Sequence, residues 1–168
     1  LSNTTWYPFS VARSAVLQVV SANLTATQIS TTSTSFVTTN FSASITPSSA
    51  SSKVYVVFMG ENLNSNGAYY SVQTLYRNST NLGGSEGMVQ NNNNSAWIPF
   101  TISCVDSPAT TSAITYTVRA AAANSGAGIF LNAHASGVTN VIFGNTAHTQ
   151  NSENGGGYSW LKVMEVSG

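Results

Sequence analysis

The sequence has very few charged side chains. Charged residues make up 6% of its 168 positions, where roughly 25% is usual for a soluble globular protein. Five Lys and Arg balance five Asp and Glu, so the formal net charge is zero. Scattered cations cannot neutralise several phosphates at once. The sequence therefore predicts no nucleic-acid partner and no attraction to an anionic membrane surface.

Cysteine and long apolar runs are also scarce. Cys104 is the only cysteine, which excludes an intrachain disulfide and fits folding in a reducing cytoplasm. It continues an alternation of Ile98, Phe100 and Ile102, so we expect it to be a small buried hydrophobic residue. No apolar run approaches the roughly 18 residues of a membrane span. Insertion into a membrane is therefore not expected.

The sequence lacks the dense clusters that catalysis or metal binding requires. Its acids form no pair suited to glycoside hydrolysis, and no nucleophile elbow is present. His134 and His148 have no neighbouring Cys or acidic residues. We expect no enzymatic activity, no cofactor and no metal. A metal bound by one His from each of three copies, and a polysaccharide-cleaving enzyme, are the alternatives that remain.

Strand signals dominate what is present. β-branched and aromatic residues alternate with Ser, Thr and Asn, most regularly from Ile114 to Ala120. The pattern predicts strands at about 15–22, 26–30, 36–46, 53–62, 68–77, 80–83, 96–105, 113–122, 127–133, 138–143 and 158–166. So many short strands predict an all-β fold, an antiparallel β-sandwich of jelly-roll type, with a small closed barrel as the alternative. Residues 1–14 would be an N-terminal arm or linker, and residues 15–168 a single sandwich domain.

Two strands have features that set their positions in a sheet. Residues 53–59 are apolar on both faces, which indicates a central strand under a second layer or a subunit interface. Pro99 cannot donate a ladder hydrogen bond, so its strand should be bulged or lie at an edge. Because low net charge favours association, we expect a homo-oligomer.

Several phrases of the sequence resemble one family of β-rich domains. They are VLQVV at 16–20, SASITPSSASSK at 42–53, VDSPATTSAITYTVR at 105–119 and LKVMEVSG at 161–168. Their residue types and order are similar to those of a domain found in phage tail-fibre and other virion-surface proteins. Together they cover 40 of the 153 residues from Val16 to the C-terminus, about a quarter of that span.

That resemblance implies a location and a role. It implies a homotrimer at the distal end of a tail fibre, made in the host cytoplasm, that attaches the virion to a host-surface glycan or receptor. Its partners would be its own copies, other virion proteins and that receptor. A capsid decoration protein that stabilises the virion shell is the alternative.

Asn- and Tyr-rich loops are the candidate ligand-binding segments. Planar amides and hydroxyls match the hydroxyl groups of a sugar, and an aromatic ring packs against its apolar side. The predicted ligand-binding residues come from three loops: Asn64, Asn66, Tyr69, Tyr70, Asn92, Asn93, Trp97, His148, Asn151 and Tyr158.

Overall fold

The described part of the chain is built from antiparallel strands. The computed structural model describes residues 15–23, 29–64, 70–92, 98–125, 128–131 and 159–168. Its strands are β1 (Val16–Asn23), β2 (Ile29–Thr31), β3 (Val37–Ile45), β4 (Lys53–Asn64), β5 (Ser71–Arg77), β6 (Thr80–Asn81), β7 (Val89–Asn91), β8 (Ile98–Asp106), β9 (Ile114–Ala122), β10 (Ile129–Leu131) and β11 (Trp160–Val166).

Sheet A is organised around the long strand β4. One edge of β4 pairs with β8 along nine residues, from Val54 opposite Asp106 to Asn62 opposite Ile98. Its other edge pairs first with β11 and then with β10. Beyond these lie β1 and β2, respectively. Strand β4 is thus central, as its apolar character on both faces predicted.

Sheet B is organised around β5 and β9. Strand β9 pairs with β3 on one edge and with β5 on the other. The free edge of β5 carries β7 at one end and β6 at the other. All pairings within the two sheets are antiparallel.

The strand order resembles that of a jelly roll. Four strands of sheet A follow the order β1-β11-β4-β8, and four of sheet B follow β3-β9-β5-β7. The chain passes from one sheet to the other between β2 and β3, β3 and β4, β4 and β5, β7 and β8, β8 and β9, and β9 and β10. This repeated crossing is how a double Greek key closes a sandwich. Pairing divides the described strands into two sheets, so the closed barrel is not observed.

Alternating side chains from both sheets fill the space between them. Phe41 of β3 packs against Phe58 of β4 with ring centroids 4.7 Å apart, and Phe58 packs against Phe100 of β8 at 5.4 Å. A Cβ atom on Gly60 would lie 2.6 Å from the Phe58 ring, so the glycine leaves room for that ring. Phe41 and Phe58 are fully buried. Edge-to-face contacts of this kind add to the free energy of apolar burial.

Some predicted elements change in the structure. Strand β7 (Val89–Asn91) is a three-residue strand that is absent from the predicted strands. The predicted strand at 138–143 lies outside the described residues, as does the arm at 1–14. Pro99 lies opposite Glu61 in β8, which in the described ranges pairs only with β4 and so is an edge strand, as predicted.

Replacing Phe58 with Ala should strongly destabilise the fold. The substitution removes a fully buried ring that contacts aromatic residues of both sheets. We expect the free energy of unfolding to fall by about 3–5 kcal/mol, measured by urea denaturation. Met59→Ala is the control, because Met59 is the next residue on β4 and points to the opposite face, 41% exposed. Its loss should stay below about 1 kcal/mol; equal losses for both variants would contradict this core.

Candidate functional site

Three of the ten predicted ligand-binding residues lie within the described ranges. They are Asn64, Tyr70 and Asn92. The other seven lie outside them: Asn66, Tyr69, Asn93, Trp97, His148, Asn151 and Tyr158.

The structure brings these three positions to one end of the sandwich. Ser71 pairs with Asn91, so Tyr70, just before β5, and Asn92, just after β7, are neighbours at the same end of sheet B. Asn64 is the last residue of β4 and lies at that end of sheet A. Tyr70 is 48% exposed. Residues that the sequence suggested from two separate loops are therefore at the same end of the sandwich.

A buried amide network supports this end. The side chain of Asn62 donates a hydrogen bond to the hydroxyl of Ser71, which joins sheet A to sheet B. The Ser71 hydroxyl donates to the Asn91 carbonyl at 3.3 Å, and the Asn91 amide donates to Gln73 Oε1 at 3.1 Å. Asn62, Ser71 and Gln73 are fully buried. These buried side chains therefore fix the ends of the strands and are not exposed to a ligand.

An ion pair joins the sheets at the opposite end. Arg77 Nη1 on β5 donates to both carboxylate oxygens of Asp106 on β8, at 2.8 and 2.9 Å. The Tyr116 hydroxyl donates to Asp106 Oδ2 at 2.7 Å. Desolvation of the phenol, followed by its bond to Asp106, raises the pKa of Tyr116. Tyr116 therefore stays a hydrogen-bond donor across the ordinary pH range.

Cys104 lies near this ion pair and packs against the core. It is half-buried, somewhat less enclosed than the buried position that the sequence predicted. Burial, and then the negative charge of Asp106, raise its pKa to about 11. The thiol is thus protonated near neutral pH, which is unlike a reactive thiolate.

The carboxylate of Glu165 anchors the turn between β3 and β4. Its Oε1 accepts hydrogen bonds from the backbone nitrogen and the hydroxyl of Ser48, both at 2.7 Å. Its Oε2 accepts one from Gln18 Nε2 at 2.6 Å, and that amide also donates to the Thr46 carbonyl at 2.7 Å. Glu165 is inaccessible to solvent. Burial alone would raise its pKa, but the bonds from Gln18 and Ser48 outweigh that effect and lower the pKa to about 2.

The outer face of sheet A carries a continuous row of apolar side chains. Val19 lies opposite Met164, Met164 opposite Tyr55, and Tyr55 opposite Val105. We call these four residues the apolar row. Val19 is 54% exposed and Val105 67%, while Tyr55 is 36% exposed and Met164 half-buried. At the usual strand spacing the row is about 15 Å wide.

Further apolar side chains extend this face along β4 and β11. Met59 lies opposite Trp160, and Met59 is 41% exposed. Lys162 Nζ lies 4.9 Å from the centre of the Trp160 ring, so its charge rests over an aromatic side chain. Apolar patches of this kind typically mark interaction surfaces. The two-faced β4 pattern pointed to this surface, but the row could be identified only once the partners of β4 were known.

Two further findings concern metal ions and membranes. Within the described ranges, no three His, Cys, Asp or Glu side chains form a group that could hold a metal ion. No helix in that part of the chain is long and apolar enough to cross a membrane.

Comparisons with known proteins show a distant similarity among solved structures. No protein-family model matches the sequence, and no curated protein matches it. Among solved structures, the chain is similar to one from infectious bursal disease virus, Gx strain, with 13% identity and a TM-score of 0.41. The similarity covers 98% of this chain and 42% of that one, so this chain spans less than half of that chain's length.

Glu165→Gln should destabilise the protein in a pH-dependent way. Because the pKa of Glu165 in the fold is about 2, below its ordinary value of 4.5, the ionised carboxylate stabilises the fold above about pH 4.5. This contribution is lost as the pH falls from 4.5 towards 2. Urea denaturation at about pH 6 should therefore show a larger difference between wild type and variant than at about pH 2.5.

Glu86→Gln is the matched control for this experiment. Glu86 is exposed in the turn before β7, so the same change of charge and shape should leave the free energy of unfolding nearly unchanged. A Glu165→Gln effect of equal size at both pH values would contradict the role assigned to the carboxylate.

Proposed function

We propose that this protein is a structural component of a virion that packs against neighbouring subunits through the outer face of sheet A. The observation that carries the proposal is the apolar row of Val19, Tyr55, Val105 and Met164. These side chains come from four adjacent strands and belong to one face. The family resemblance of the sequence supplies the virion as the setting.

The energetics of this face favour association. Covering the exposed parts of the four side chains is worth on the order of 1 kcal/mol for each. Burying an unpaired ion in an interface costs several kcal/mol. Because charged residues are 6% of the sequence, this cost is a small part of the free energy that opposes association. A net charge of zero also removes the repulsion that would keep copies apart.

In this proposal, copies of the chain and other virion proteins bind to the outer face of sheet A. The row lies on the outer face of sheet A, close to the end at which β4 begins and β8 ends. In a capsid decoration protein the row would brace neighbouring shell subunits. In a tail fibre it would lie at the axis of the homotrimer that the sequence resemblance implies.

Attachment to a host-surface glycan is the second candidate function. The supporting observation is the position of Tyr70 and Asn92, an exposed aromatic ring beside an exposed amide residue at one end of sheet B. Three weak sites presented by a trimer would act together, because multivalent binding raises the overall affinity without new contacts.

Val105→Asp should weaken self-association without unfolding the protein. Val105 is 67% exposed at the edge of the apolar row, and a carboxylate there would have to be desolvated in the interface. We expect the sedimentation-equilibrium mass at about 10 μM to shift from an oligomer towards the monomer, with the dissociation constant raised at least about 10-fold. Asn40→Asp adds the same carboxylate at an exposed position on β3 of the other sheet; it is the control and should keep the wild-type mass.

The circular dichroism spectra of both variants should match that of the wild type, which separates lost association from lost folding. A monomeric wild type at that concentration, or a Val105→Asp variant that associates like the wild type, would overturn the proposed self-association. Binding of the labelled protein to assembled capsids supports the decoration role, and binding to isolated host envelope supports attachment.

A further inference from the structure

Arg119 lies on the outer face of sheet B, on the side of the sandwich away from the apolar row. On β9 the residues at 118 and 120 point into the core, so Arg119 points outwards. Thr38 of β3 lies opposite it on one side and Thr74 of β5 on the other. Thr38 is exposed, whereas Thr74 is fully buried and bonded to Asn81. The open side of Arg119 is therefore the side of Thr38.

Aromatic rings hold the guanidinium in place. Its central carbon lies 3.9 Å from the centre of the Tyr76 ring, which is cation–π distance. Phe36 meets Tyr76 edge-to-face with ring centroids 6.2 Å apart. Stacking of this kind leaves the hydrogen-bonding directions of the guanidinium unused, because they lie in its plane.

The guanidinium has no acidic partner among the described residues. The ion pair formed within the described residues joins Arg77 to Asp106. Arg119 Nε is buried without a hydrogen-bond partner. The Arg119 side chain is half-buried overall. Unlike Nε, its terminal nitrogens are not buried, so they reach the surface. Arg119 is thus a positioned cation whose outer donors are available.

We propose that Arg119, with Tyr76 and Thr38, binds a small oxyanion carried by a sugar. A guanidinium donates two parallel hydrogen bonds to a carboxylate or phosphate, and the exposed Thr38 hydroxyl supplies a further donor beside it. The half-buried rings of Phe36 and Tyr76 offer an apolar surface to the sugar. The oxyanion is a carboxylate in an acidic sugar and a phosphate in a phosphorylated one.

This site is independent of association through the apolar row. It lies on sheet B, whereas the row lies on sheet A. A subunit bound at the row would therefore leave Arg119 open. Loss of sugar binding and loss of self-association can be measured separately.

The test is an NMR titration that follows the Nε–Hε signals of the arginines. Glucuronate is the acidic-sugar probe, inorganic phosphate the phosphate probe and glucose the neutral control, all at low ionic strength. We expect a saturable shift of the Arg119 signal with glucuronate, phosphate or both, with a dissociation constant on the order of millimolar. The signal of Arg77, which is held by Asp106, should stay in place.

Variants assign the binding to the site. Arg119→Gln should weaken binding of the active probe at least about 10-fold, followed by backbone amide shifts, and Thr38→Val should weaken it less. Lys162→Gln is the matched control: it removes one cation over an aromatic ring on sheet A and should bind like the wild type. Arg119→Lys keeps the charge but loses the parallel donors of the guanidinium, so it too should bind the probe more weakly. This variant tests the site if Arg119→Gln fails to fold.

The arms of the titration give distinct outcomes. Binding of glucuronate alone identifies a carboxylate, and binding of phosphate alone identifies a phosphate group; either upholds the site. No saturable shift with either anion, equal binding of glucose, or wild-type binding by folded Arg119→Gln and Arg119→Lys would overturn it.

Discussion

The contact of Phe58 with Phe41 and Phe100 is the constraint on which the rest of the structure depends. These rings fill the space between the sheets and turn one face of β4 inwards. Side chains on a strand alternate between faces, so the inward position of Phe58 forces Tyr55 and Met59 outwards. The apolar outer face of sheet A is therefore a direct consequence of the core register, because a slip by one residue would exchange the two sets.

Polar contacts hold the two sheets where the aromatic core does not reach. The Arg77–Asp106 ion pair joins them at one end, and the bond from Asn62 to Ser71 joins them at the other. Glu165 anchors the turn through which the chain passes from β3 to β4. Three of the ten charged side chains are thus used in internal contacts. Hydroxyl and amide groups remain to hydrate the surface.

The sequence predicted the strands better than their partners. Period-two alternation marked β8 and β9 and indicated which of their residues face inwards, since that information is local. Strand β4 is apolar on both faces, so the sequence did not show which of its faces is inward. The three-residue strand β7 is too short to carry such a period, and it was not predicted for that reason. Glu165 and Ser48 are more than a hundred positions apart, and no local pattern connects them. The sequence did not show that Tyr70 and Asn92 are neighbours, because this depends on the pairing of β5 with β7. The apolar row could not be predicted either, because it depends on the alignment of four strands.

The scarcity of charge gives the two outer faces different physical behaviour. The apolar row gains free energy by leaving water, which depends little on ionic strength, because few charges are present to be screened. Arg119 acts through its charge, and no described carboxylate forms an ion pair with it. Its attraction for an oxyanion therefore persists at low ionic strength and weakens as salt is added. The two proposals therefore predict opposite responses to salt: association through sheet A should persist as salt is added, whereas an oxyanion on sheet B should be released.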